Sequence, residues 1–125
     1  MLLEPTDAAL LWDMLESATS IIDMVGGMTY EQYRQDRRTR RAVEREIEII
    51  GEAARHVSLT LQQDHPGIPW RKIAAQRHRL AHEYAGIQDE IIWKVTTVHV
   101  PELLALLRPL VPAPPTDSDP SDPRP

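Results

Sequence analysis

The chain has 125 residues and a mass of 14.3 kDa, the size of one ordinary domain with no room for a second. Its formal net charge of -5 excludes a globally basic nucleic-acid binder but leaves a locally basic surface open. Having no cysteine, it holds no disulfide framework, thiolate nucleophile, cysteine zinc site or iron–sulfur cluster, while 42% hydrophobic and 26% charged residues mark a globular and not a disordered chain.

The apolar period is helical throughout. Leu11, Met14, Leu15, Ala18, Ile22 and Val25 recur at three- and four-residue spacing, which predicts a first helix capped at Thr6 and stopped by Gly26-Gly27. Thr29 with Gln32 three residues on forms a capping-box pattern that opens a short segment through Tyr33. A long helix from Asp36 to His56 carries the stripe Val43, Ile47, Ile50, Ala54 and Val57. Ser58 caps a brief helical turn that ends before His65-Pro66-Gly67. Pro69 then opens a helix through Trp70, Ile73, Leu80 and Ala81 to a stop at Gly86. Asp89 caps a last helix bearing Ile91, Ile92, Val95 and Val98, which Pro101 should kink or split before it resumes through Leu107.

No segment shows the period-two alternation of a strand, and the connections are short. The expectation is an all-α, up-and-down four-helix bundle over residues 1–108, with short extra helices. Residues 109–125 hold seven of the eleven prolines together with Asp117, Asp119 and Asp122, and read as a disordered tail. The longest apolar runs fall far short of the ~20 residues that cross a bilayer, and Met1-Leu2-Leu3-Glu4-Pro5 has no secretory pattern. A cytoplasmic protein with no membrane partner is expected.

Charge is segregated along the chain. Residues 1–33 contain six acids and no Lys or Arg, whereas residues 34–79 contain eleven bases against six acids, so a polyanion would bind the middle of the molecule. Six arginines, Arg34, Arg37, Arg38, Arg40, Arg41 and Arg45, crowd one stretch. They read equally as a solvated helix face, neutralised by Glu44 and Glu48, or as a track for phosphates.

The segment from Ile73 to Gly86 carries the most concentrated chemistry. Arg77 falls in the stripe with Ile73, Leu80, Ala81 and Tyr84 that should be buried, and a buried guanidinium is costly unless paired or lining a working cleft. His78 and His82 are one turn apart. On an ideal helix His82 lies about 140° from Arg77, so the two converge only through distortion or across two subunits. Both histidines also read as ordinary packing residues. As metal ligands they lack the H-E-x-x-H pattern and an obvious third partner, so neither a metal nor a cofactor is expected. Trp12, Trp70 and Trp93 read as core or interface residues rather than as base-stacking platforms.

Three stretches together resemble a known family. They are Arg40-Arg41-Ala42-Val43-Glu44-Arg45 running on to Gly51-Glu52-Ala53-Ala54, then His65-Pro66-Gly67-Ile68-Pro69-Trp70, then Arg77-His78-Arg79-Leu80-Ala81-His82-Glu83-Tyr84. This is the pattern of the HepT branch of the HEPN superfamily, toxins of bacterial and archaeal toxin–antitoxin pairs. The motif of Arg, a polar residue, three variable residues, His, one variable residue and Tyr is matched in order by Arg77, His78, His82 and Tyr84. His78 stands where many members carry Asn.

The resemblance implies a metal-independent ribonuclease acting as a homodimer, with Arg77 and His82 catalytic, His78 a supporting polar residue, and RNA as substrate. It also implies a partner, a minimal nucleotidyltransferase (MNT-type) antitoxin that transfers AMP to Tyr84. Two other readings stay open at this stage. One is a non-catalytic helical module that binds a nucleotidyltransferase or nucleotides, and the other is a plain dimeric bundle in which Arg77 has no working role.

Overall fold

A computed structural model describes residues 4–82 and 85–111, with the side chains of 77–88 set aside. The expected tail lies outside the described residues. Every regular element described is helical: α1 (Pro5–Val25), α2 (Tyr30–Gln35), α3 (Arg37–His56), α4 (Leu59–Asp64), α5 (Trp70–His82), α6 (Ala85–Lys94), a π-helical turn (Val95–His99) and α7 (Val100–Leu107). The main helices α1, α3, α5 and the continuous α6–α7 rod form the expected bundle. Helix α3 packs along both α1 and α5, and α7 closes back on α1.

Local chemistry explains most boundaries. Thr29 Oγ1 accepts from the Gln32 amide at 3.1 Å while the Gln32 side chain accepts from the Thr29 amide at 2.9 Å, completing the capping box that opens α2. Asp36 caps α3 by accepting from the Thr39 amide at 3.0 Å. Between α1 and α2 the chain turns at Gly27, whose φ of 82° is the left-handed conformation that glycine adopts without penalty.

Three boundaries differ from the sequence expectation. Helix α1 starts at Pro5 and not after Thr6, because proline is preorganised for the first helical position and has no amide to leave unpaired. Helix α6 starts at Ala85, so Gly86 is inside it and Asp89 is not its cap. Pro101 does not split the last helix. The rod widens into a π turn over Val95–His99, and Pro101 sits in the first turn of α7, where its missing amide costs little. The Thr96 and Thr97 hydroxyls both donate to the Trp93 carbonyl at 2.8 Å, supporting the backbone at the point of disturbance.

The core draws on every main helix: Leu11, Met14 and Ile21 from α1, Val43, Ile47 and Ile50 from α3, Trp70 from α5, Ile92 from α6, and Leu103, Leu104 and Leu107 from α7. Leu110 and Val111 pack on it from beyond α7. Trp70 is buried and its indole N–H donates to the His65 carbonyl at 3.0 Å, whereas Trp93 is half-buried against Tyr33, 5.2 Å between ring centres. No described helix is long and apolar enough to cross a membrane.

Candidate functional site

Helices α3 and α5 run side by side in opposite directions. Ile47 and Ile50 of α3 share a cavity wall with Ile73 and Gln76 of α5. Further along, Arg40 meets Asp89, which follows α5 in the chain. The backbone from Arg77 to His82 therefore passes alongside the N-terminal half of α3. Arg77, His78 and His82 all belong to the last turns of α5, and their side chains lie outside the described residues, as does Tyr84. Helix α5 is α-helical through His82. The Cα atoms of Arg77 and His82 are accordingly about 140° apart around the axis, with no helical distortion to swing them together.

A buried polar cluster that the sequence reading missed stands where α2, α3 and α6 meet. Arg40 Nη1 approaches Asp89 Oδ2 at 3.6 Å, with the Asp89 carboxylate 11% exposed. Tyr33 is wholly buried near them, and neither its hydroxyl nor Arg40 Nε has a hydrogen-bond partner among the described residues. Burial pushes the Tyr33 hydroxyl pKa upward, with Glu44 and Asp89 adding to the effect. Burial likewise raises the Glu44 carboxyl, against an opposing pull from Arg41, 3.8 Å away. Tyr30, whose ring centre is 6.0 Å from that of Trp93, is also shifted upward, first by desolvation and then by Glu90 and Asp89. The available signal was Asp89 itself, an acid within an apolar helix, but its place four residues before Trp93 made a cap the simpler assignment.

The crowded arginines divide into two groups. Arg34 is bound to Glu31 at 2.7 Å, which holds the Glu31 carboxyl below its ordinary range, and Arg40 is turned to Asp89. Arg37, Arg38, Arg41 and Arg45 lie on the solvent face of α3, Arg41 and Arg45 with side chains 69% and 71% exposed. The cavity between α3, α5 and α7, about 160 Å³, is walled mainly by Ile47, Ile50, Ile73, Val95, Leu103 and Leu106, with Lys72, Gln76, His99 and Glu102 also lining it. Among the described residues no three His, Asp or Glu side chains gather in a way that could hold a metal ion.

Comparison with known proteins agrees with this architecture. The profile of the family described as ribonuclease HepT-like matches residues 14–110, from the middle of α1 to the turn after α7. A Methanocaldococcus jannaschii protein, provisionally named an RNase, is 39% identical over 93 residues, covering 74% of this chain and 77% of its own. A Caldanaerobacter subterraneus protein with the same provisional name is 36% identical over 90 residues, covering 72% and 80%. A Thermococcus cleftensis protein, provisionally named ribonuclease HepT, is 35% identical over 95 residues, covering 73% and 86%. No solved structure gives a significant match. With a helical bundle of the expected order and a family profile spanning most of its length, the chain belongs to the HepT-like ribonuclease family.

Proposed function

We propose that this protein is a metal-independent endoribonuclease, the toxin of a toxin–antitoxin pair, and that Arg77 and His82 carry its chemistry. The observation that supports this most directly is the Arg77-His78-x-x-x-His82-x-Tyr84 motif at the end of α5, in a chain whose relatives bear ribonuclease names. His82, a residue type whose reference pKa is near 6.5, takes the proton from a ribose 2′-hydroxyl. The 2′-oxygen forms a bond to phosphorus, and the bond from phosphorus to the 5′-oxygen breaks. The departing oxygen receives a proton from the second histidine of the pair or from water. Arg77 offers a two-pronged fork to the charge that builds on the phosphoryl oxygens. His78 supports the site as a polar neighbour.

The straight course of α5 favours a homodimer. With Arg77 and His82 of one chain about 140° apart on an undistorted helix, a two-fold axis beside the end of α5 would bring the Arg77 of one subunit to the His82 of the other. Regulation follows from Tyr84. A nucleotidyltransferase partner that joins AMP to its hydroxyl would set a bulky anion two residues from His82, repelling the RNA phosphate.

The reading is tested by incubating the purified protein, with chelator present, on total RNA and on matched DNA beside His82→Ala, Arg77→Ala and Tyr84→Phe variants. Cleavage of RNA alone, abolished by His82→Ala and Arg77→Ala, is the expected result, since the attacking group is absent from DNA. Equal cleavage by His82→Ala would overturn the assignment. No cleavage by protein whose Tyr84 is unmodified by mass spectrometry would favour a non-catalytic binding module.

A further inference from the structure

The solvent face of α3 carries four arginines in its first nine residues, and the fold gives them little to do. Arg37 and Arg38 are exposed and make no ion pair among the described residues. Arg41 and Arg45 reach Glu44 and Glu48 at 3.8 and 3.5 Å, long contacts from mostly exposed guanidinium groups that are worth little to stability. All four occupy the half of the helix where the backbone dipole disfavours cations, and the acid at that end is the N-cap Asp36, whose carboxyl is held below its ordinary range chiefly by its bonds to Thr39, with Arg38 adding to the effect. Such a conflict between local electrostatics and sequence is expected where a surface serves a ligand.

The wheel positions of Arg37, Arg38, Arg41 and Arg45 cluster opposite Val43, Ile47, Ile50 and Ala54, so they form one outward row and not a scatter. The same half of α3 is flanked by the end of α5, because Ile47 and Ile50 lie against Ile73 and Gln76 while Arg40 lies against Asp89. The row stands at the same level along α3 as the end of α5 but on the side of α3 turned away from the Ile47 and Ile50 contact. Arg34 and Arg40 are excluded from it by their own acids.

We infer that Arg37, Arg38 and Arg41, extended by Arg45, are a binding track for the phosphodiester backbone of RNA along the outward face of α3. The track rests on the ribonuclease reading for the identity of its ligand, and it adds the surface that holds the strand away from the point of cleavage. Arginine suits this role because its planar fork matches two phosphate oxygens. Contacts of this kind supply affinity without base sequence information. The overall charge is negative, and residues 1–33 hold acids but no Lys or Arg.

The test measures binding and cleavage separately. Binding is read by fluorescence anisotropy on a labelled single-stranded 2′-O-methyl RNA, which lacks the attacking hydroxyl, across a series of salt concentrations. Wild type is compared with the triple variant Arg37→Gln/Arg38→Gln/Arg41→Gln and with Arg55→Gln, a charge removed from the far end of the same helix. Circular dichroism establishes that each variant is folded. The triple variant should bind on the order of tenfold or more weaker at low salt, and its dependence of log K on log salt should be shallower by about two to three, near one per lost phosphate contact. Arg55→Gln should match wild type.

Equal affinity and equal salt slope in the triple variant would overturn the track, as would a wild type that binds no RNA. A parallel cleavage assay on unmodified RNA distinguishes the two readings. A wild type that binds 2′-O-methyl RNA through these arginines but cleaves nothing would remove the ribonuclease and leave the track standing.

Discussion

Arg40 of α3 and Asp89 of α6 meet at 3.6 Å in a region where the carboxylate is 11% and the guanidinium 25% exposed. The contact ties the N-terminal half of α3 to the helix that follows the motif, so it helps fix where the end of α5 stands. Replacing Arg40 by Met leaves the Asp89 charge buried without its partner. A loss of about 2 kcal/mol is expected in urea unfolding, since an unpaired buried charge costs more than the pair contributes. The double variant Arg40→Met/Asp89→Asn should recover most of it. Full additivity of the two changes would show that the contact is inert.

Ser58 acts twice. Its hydroxyl caps α4 by accepting from the Leu61 amide at 3.2 Å, and donates to Asp7 Oδ2 at 2.6 Å, while its own amide donates to Asp7 Oδ1 at 2.9 Å. Asp7 is thereby held in the first turn of α1, buried and doubly bonded. Ser58→Ala removes a cap and a bond to a carboxylate together, an expected cost of about 2–3 kcal/mol. Thermal melts of Ser58→Ala, Asp7→Asn and the double variant should show strong coupling between the two sites.

The Tyr33 hydroxyl is buried near Arg40 and Asp89 with no hydrogen-bond partner among the described residues. Removing an unsatisfied buried polar group relieves its desolvation cost, so Tyr33→Phe should be neutral or stabilising by up to about 1 kcal/mol. The ring contact with Trp93 at 5.2 Å is retained in the variant. A clear fall in melting temperature would mean that the hydroxyl is hydrogen-bonded in solution.

Glu44 gives a prediction in pH. Burial raises its folded-state pKa, the reverse of the usual carboxylate case. The fold then favours the protonated form. The contribution of Glu44 is best below the ordinary carboxylate pKa and is lost as pH rises through the raised value. Glu44→Gln should therefore be more stable than wild type at pH 7, and the advantage should shrink as pH falls toward about 4. Urea midpoints at the two pH values measure this. An advantage that grows on acidification would reverse the assigned sign.

The helical class, the order of the elements and several of their caps were legible in the chain alone. The Thr29–Gln32 box and the Ser58 cap are interactions across three residues, and the stripe of Val43, Ile47, Ile50 and Ala54 repeats with the helical period. Such signals need nothing beyond neighbouring residues. Motif residues Arg77, His78, His82 and Tyr84 were legible for the same reason, since they occupy eight consecutive positions.

Apart from the start of α1 at Pro5, which is local, the misplaced features depend on distant parts of the chain. Asp89 read locally as a cap, yet the approach of Arg40 makes it an ion-pair partner inside α6. Pro101 read as a break, yet α7 continues through it after the π turn, where Val100, Leu103, Leu104 and Leu107 hold the rod against the core. Asp7 gave no signal, because its partner Ser58 is 51 residues away.

The sequence by itself determined the helical class, several of the caps and the family, since these arise from periodicity and short-range hydrogen bonds. Only the tertiary structure decided which arginines remain exposed to solvent and which are taken up by acids, because that depends on which helix packs against each face of α3. The course of α5 past the arginine-bearing half of α3 is likewise a property of packing, set by where Ile47 and Ile50 find Ile73.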